Sequence, residues 1–285
     1  MSASSNRKTA DRRRLSRKAV IGVMAVAAPL LLWLEFGKPT LAADPHLSAI
    51  MGMTLTRLLG AAIFFALILS EGYRLLSPLR GLRPVGGFLL LFLPPLAVVI
   101  NNFPIPALIS GEAQILSHGP AVWVWFSLEC LSIALFEEAA FRGVIFPLLA
   151  ERRCQTKRGQ LVSILLASAV FGLVHLVNLA QGAGIGPVVR QIGYSFLIGS
   201  MCSVVLIKTH NLWLCVLLHA VFDFGGKLIE TVGAGRIWNL PAILITAILA
   251  VLTTVYLTWQ FFRPDPVPFG EIYPPKFVAD TVEFQ

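Results

Sequence analysis

The chain is divided into apolar runs long enough to cross a bilayer, and that repetition restricts it to one class of fold. Inside hydrocarbon the backbone polar groups must be satisfied within the segment itself, so an apolar run of about 20 residues forms a helix. Charged residues make up only 13% of the 285 positions, about half the roughly 25% of a globular domain. Mean hydropathy is +0.76. The sequence therefore predicts an all-α polytopic membrane helix bundle of about eight transmembrane helices.

The runs fall at residues 19–36, 50–70, 87–100, 121–150, 160–180, 191–208, 210–224 and 239–262. The first reads as a retained anchor in preference to a cleaved signal peptide, because it exceeds the usual length of a signal sequence's apolar region. Pro94 and Pro95 are expected to kink or break the third. The seventh is short. These runs divide the chain into a basic segment (1–18), a first group of helices (19–120), a motif-bearing core (121–225), a last helix region (226–262) and a proline-rich tail (263–285).

The net charge of +8 is concentrated at the start. Arg7, Lys8, Arg12, Arg13, Arg14, Arg17 and Lys18 against Asp11 place seven minus one charges, +6, in the first 18 residues. A basic stretch just before an apolar run holds the inner leaflet, so the expected partner is the lipid bilayer and not nucleic acid. Arg74, Arg80 and Arg83 after the second run, and Arg152, Arg153, Lys157 and Arg158 after the fourth, follow the same alternation. With eight spans it places both termini in the cytoplasm of a plasma (inner) membrane protein. Glu71, Arg74 and the 151–153 charges read as loop residues, and His210 and Trp213 as interface markers. Four cysteines without C-x-x-C spacing make a disulfide framework or a thiolate metal site improbable.

Against this apolar background, ionisable residues inside the runs mark function. Glu137 and Glu138 stand together in the fourth run, with Arg142 four positions after Glu138 and able to neutralise it on one helix face. Phe171 and His175 share that spacing in the fifth run, with Asn178 one turn further on, undecided between site residue and helix cap. His219 and Asp223 share it in the seventh. At about 1.5 Å per residue, Glu137, His175, His219 and Asp223 lie about 20, 22, 14 and 20 Å from the expected cytoplasmic ends of their helices, a depth that one cavity can serve. A carboxylate and an imidazole facing one water act as general base and acid, and a second imidazole can donate to an oxyanion. Glu137, His175 and His219 could equally bind zinc with an open position. The helical H-E-x-x-H pattern is absent, and Ser127 and Ser132 lack the surroundings of a serine nucleophile.

At these residues the chain resembles the CPBP family of intramembrane glutamic endopeptidases, which includes CAAX prenyl endopeptidases and Abi-type proteins. The family's E-E-x-x-x-R stands as Glu137 to Arg142, its F-x-x-x-H as Phe171 to His175, and its H-x-x-x-N/D as His219 to Asp223. The likeness covers roughly residues 120–225. It implies an eight-helix core, no required cofactor, and water activated by Glu137 and His175. It further implies an oxyanion site at His219 and Asp223, with Glu138 and Arg142 as a supporting ion pair. Many members carry asparagine where this chain has Asp223. An ionised carboxylate cannot donate a hydrogen bond, so Asp223 is expected to orient His219 instead.

The resulting expectation is an endopeptidase acting on a membrane-anchored protein or peptide, of the CAAX type or near a C-terminal signal. Intramembrane Glu and His also build proton relays, which makes a coupled transporter the main alternative, although internal repeats are not evident. A non-catalytic immunity-type membrane protein is the third reading.

Overall fold

The computed structural model describes residues 17–37, 40–76, 85–150 and 153–264. The basic segment up to residue 16, Arg80 and Arg83, Glu151 and Arg152, and the tail from 265 lie outside the described residues. The fold is an all-α bundle. Among the described residues, six helices are long and apolar enough to cross a membrane, and the chain is an integral membrane protein.

The eight expected runs correspond to eight long helical segments. Helix α1 (Arg17–Gly37) precedes α2 (Pro45–Glu71), α3 (Val85–Asn101) and the short α4 (Ile105–Ser110). The central segment is a composite. Helix α5 (Pro120–Glu138) passes into a π-helical stretch, Ala139–Ile145, and then into α6 (Phe146–Ala150). Next come α7 (Lys157–Val174), α8 (Val177–Ala180), α9 (Ile185–Thr209), α10 (Leu212–Val232) and α11 (Leu240–Phe262).

Several boundaries differ from the sequence-based expectation, each for a physical reason. The third run is not broken at its prolines, since α3 is continuous through Pro94 and Pro95. Proline at 94 cannot donate to the carbonyl of Leu90, four positions earlier, and the Tyr256 hydroxyl on α11 donates to that oxygen instead at 2.6 Å. Neighbouring helices satisfy backbone groups freed by proline in this way. The fifth run does break, because the helix ends at His175 and a separate turn, α8, follows. The seventh run is not short: α10 has 21 residues. Polar residues past 224 remain helical because they are held against α5. Glu71 is no loop charge but the buried last residue of α2. Two three-residue strands were not expected at all. β1 (Ala113–Ile115) and β2 (Gly233–Gly235) pair antiparallel, tying the approach to α5 to the end of α10. Gly235, at φ +118°, allows the close approach to the Glu112 carbonyl.

The main core gathers Ile68 of α2, Phe141 and Phe146 of the central segment, Phe171 of α7, Cys202 and Leu206 of α9, and Leu218 of α10. It encloses the polar groups described next.

Candidate active site

Pro120 opens the central helix at a position where a missing N–H costs nothing. Eighteen residues on, Glu138 ends the α-helical part and is fully buried. Arg142 follows within the π-helical stretch, 1% exposed, with Nη1 at 3.0 Å from Glu138 Oε1. This is the ion pair the spacing suggested. The guanidinium also lies 4.6 Å from the centroid of the Phe171 ring, a cation–π contact that stabilises a desolvated arginine. Gly199 of α9 supplies the space, since a Cβ there would stand 3.1 Å from Arg142 Nη2 and 3.1 Å from Phe171 Cδ1.

The same Glu138 oxygen meets a third group. His219 Nδ1–H donates to Glu138 Oε1 at 2.7 Å, both residues buried. Glu138, paired with Arg142, accepts the Nδ1–H hydrogen bond and so fixes the ring's orientation. The opposite nitrogen, Nε2, lies 3.6 Å from Glu137 Oε2 and 3.6 Å from Asp223 Oδ2. Those separations exceed a hydrogen bond. Glu137 and Asp223 retain 12% and 18% side-chain exposure, so the partly open side of the cluster is the Nε2 side.

Glu138, expected only to pair with Arg142, is the residue that orients His219. Asp223 faces the nitrogen that Glu137 also faces.

Phe171 is a packing residue of the core. Its ring stands 5.5 Å from that of His175 and 5.9 Å from that of His219, edge-on to both, and lies tilted against Phe141 at 4.7 Å. His175 is the C-cap of α7 and partly exposed, where the chain leaves the helix. Asn178 is outside the cluster, its Nδ2 donating to Gln191 Oε1 of α9 at 2.7 Å. Ser127 and Ser132 donate to carbonyls of their own helix. His210 closes α9 in a left-handed conformation, φ 56°, and Trp213 is exposed.

Two features were not found in the sequence. The first is an ion pair between Lys227 Nζ of α10 and Glu129 Oε1 of α5 at 2.6 Å. Glu129 precedes Glu137 by eight positions and Lys227 follows His219 by eight, the symmetric spacing that two antiparallel helices require, and this was the available signal. The second lies behind the site. Atoms of Glu138, Cys202 and Cys215 lie within 4.8 Å of one another, and Cys215 Sγ contacts the Cys202 carbonyl at 3.2 Å. Among the described residues this is the set of three potential ligands that converges, not the Glu137, His175 and His219 trio considered from sequence. The distance along the chain between residues 138, 202 and 215 hid it.

A family model described as type II CAAX prenyl endopeptidase, Rce1-like, matches residues 119–225. The motif-bearing segment is similar to that family. The matched segment begins at the start of α5, ends just past Asp223, and so contains every group of the cluster. The family it matches is one of proteases. No curated protein and no solved structure gives a significant match to the chain.

Proposed function

We propose that the protein is an intramembrane endopeptidase of the CAAX type that hydrolyses a peptide bond near the C-terminus of a membrane-anchored protein or peptide. The observation that supports this best is the Glu138–His219 contact of 2.7 Å. It joins two of the three motifs and turns His219 Nε2 toward the partly exposed Glu137 and Asp223.

In this reading a water bound about 2.8 Å from Glu137 Oε2, an ordinary hydrogen-bond length, is the nucleophile. Glu137 takes its proton as the oxygen attacks the scissile carbonyl. With Nδ1–H held by Glu138, a proton on Nε2 makes His219 an imidazolium, which donates to the developing oxyanion. Asp223 supports that charged form from beside Nε2. When the tetrahedral intermediate collapses the C–N bond breaks, and the proton taken up by Glu137 passes to the departing amine, with His175 as the relay. One water is consumed, and one acid and one amine are formed. The orientation with both termini in the cytoplasm belongs to the same proposal.

The test is hydrolysis by the purified full chain in liposomes, using a library of membrane-anchored peptides. Cleavage that disappears in Glu137→Gln and is unaffected by a chelator is the expected result. Cleavage abolished by the chelator and restored by zinc moves the assignment to the metal mechanism. Undiminished cleavage by Glu137→Gln overturns the proposed base.

A further inference from the structure

Beyond the reacting groups, Glu138 also meets two cysteines to which the endopeptidase reading gives no role. Helix α9 turns back into α10 at His210, whose φ is 56°. That hairpin sets Cys202 of α9 beside Cys215 of α10, and Cys215 Sγ–H donates to the Cys202 carbonyl at 3.2 Å. Both thiols are fully buried. A carboxylate oxygen of Glu138 and the two sulfurs lie within 4.8 Å of one another. Three helices, α5, α9 and α10, thus each supply one donor atom.

The carboxylate itself carries a second, independent observation. Oε1 serves both His219 and Arg142. Oε2 is buried and has no hydrogen-bond partner among the described residues. A bare buried carboxylate oxygen costs free energy, and in a folded protein such an atom marks an ion or an ordered water. Two sulfurs beside it select a soft cation, because magnesium and calcium take oxygen ligands.

Size and charge narrow the choice further. Zinc binds sulfur at about 2.3 Å and carboxylate oxygen at about 2.0–2.2 Å, so its tetrahedral donors stand about 3.4–3.8 Å apart. Donors within 4.8 Å of one another need to close by only about 1 Å to reach that spacing. Glu138 and Arg142 already balance each other, and two thiolates then balance one divalent cation. A monovalent ion such as copper(I) would leave one buried negative charge uncovered, which an apolar core does not tolerate.

We propose that Glu138, Cys202 and Cys215 bind one zinc-type divalent cation that ties α5, α9 and α10 together behind His219. Binding breaks two S–H bonds, forms two metal–sulfur bonds and releases two protons, with no electron transferred. Glu138 gives the ion its spare oxygen and keeps the other on His219 and Arg142. The ion is a support, and hydrolysis does not pass through it. Its ligands are fully buried, so it exchanges slowly and a chelator that strips an open metal leaves it in place.

For the test, the full chain is produced in medium with excess zinc and purified in detergent, and its metal is counted by mass spectrometry. About one zinc per chain is expected, and none in Cys202→Ser or Cys215→Ser. Cys130→Ser, at a buried cysteine outside the set, is expected to keep the metal. Size-exclusion chromatography checks that each variant is folded, and Cys202→Ala and Cys215→Ala replace a serine variant that is not. Production with cobalt(II) gives the decisive signature, a thiolate-to-cobalt charge-transfer band in the near ultraviolet. That band persists in Glu137→Gln and vanishes in both cysteine variants. A parent chain without metal, or a metal count that neither cysteine variant changes, overturns the proposal. Metal that shows no thiolate band and is lost in Glu137→Gln also overturns it, and moves the ion to the hydrolytic groups. Thiolate-bound metal in a chain that hydrolyses no peptide keeps this site and counts against the endopeptidase.

Discussion

Glu138 and His219, 81 positions apart in the chain, meet at 2.7 Å in a setting where Glu138 is fully buried. One carboxylate oxygen serves both His219 and Arg142, so the orientation of the imidazole and the neutralisation of the arginine depend on one group.

This predicts opposite phenotypes for two adjacent glutamates. Glu138→Gln leaves Arg142 as a buried charge without its carboxylate, a change that typically costs about 3–5 kcal/mol. Glu137→Gln removes a partly exposed carboxylate that has no hydrogen bond to His219, and its stability is expected to stay within about 0.5 kcal/mol of the parent protein, as for substitutions away from such networks. Thermal unfolding in detergent compares the two. The idea fails if Glu137→Gln is the more destabilised.

Gly199→Ala adds a methyl group within 3.1 Å of both Arg142 Nη2 and Phe171 Cδ1. Overpacking of that kind costs about 1–3 kcal/mol. Because the displaced group is the guanidinium, the loss is expected in hydrolysis as well as in stability. Gly193→Ala, where a Cβ meets nothing within 4 Å, is the matched control on the same helix and is expected to retain both.

Asp223→Asn and Asp223→Ala separate support of His219 from bulk. The asparagine can donate to an oxyanion directly, so its hydrolysis rate is expected to stay within about tenfold of the parent. The alanine loses the polar group beside Nε2, and a drop of about 100-fold in kcat is expected, at the lower end for removal of an oxyanion-stabilising group. Equal rates for the two variants would remove Asp223 from the chemistry.

Tyr256→Phe deletes the hydroxyl that donates to the Leu90 carbonyl, with an expected loss of about 1 kcal/mol, the usual net worth of one hydrogen bond. In a Pro94→Ala background the helix regains its own donor to that carbonyl. The tyrosine change is then expected to cost markedly less, and a double-mutant cycle on unfolding temperature reads the coupling.

Much of this architecture was legible in the sequence because hydrophobic length and periodicity are local properties. Eight apolar runs mapped onto eight helical segments, and the ion pair of Glu138 with Arg142 followed from a spacing of four. What escaped was set by partners remote in the chain. The continuity of α3 through Pro94 depends on Tyr256, 162 positions later. The length of α10 depends on Lys227 finding Glu129. The orienting of His219 by Glu138, and the placing of Asn178 against Gln191, needed the relative rotation of helices, which no single run encodes. The break at His175 was hidden because residues 160–180 are uniformly apolar enough to read as one helix.

The π-helical stretch Ala139–Ile145 has a further consequence, for descent. A π-helical turn holds more residues than an α-helical one, so it marks a place where chain length, rather than side-chain identity, sets the phase of everything downstream. Losing one residue from 139–145 would let the α-helix close up and turn Phe146–Ala150 about 100° against α7, at 3.6 residues per turn. A one-residue change in the loop between β1 and α5 has no such leverage. Across the chain's relatives, insertions and deletions should thus collect in the connections and be rare here, even where the side chains of this stretch are free to vary.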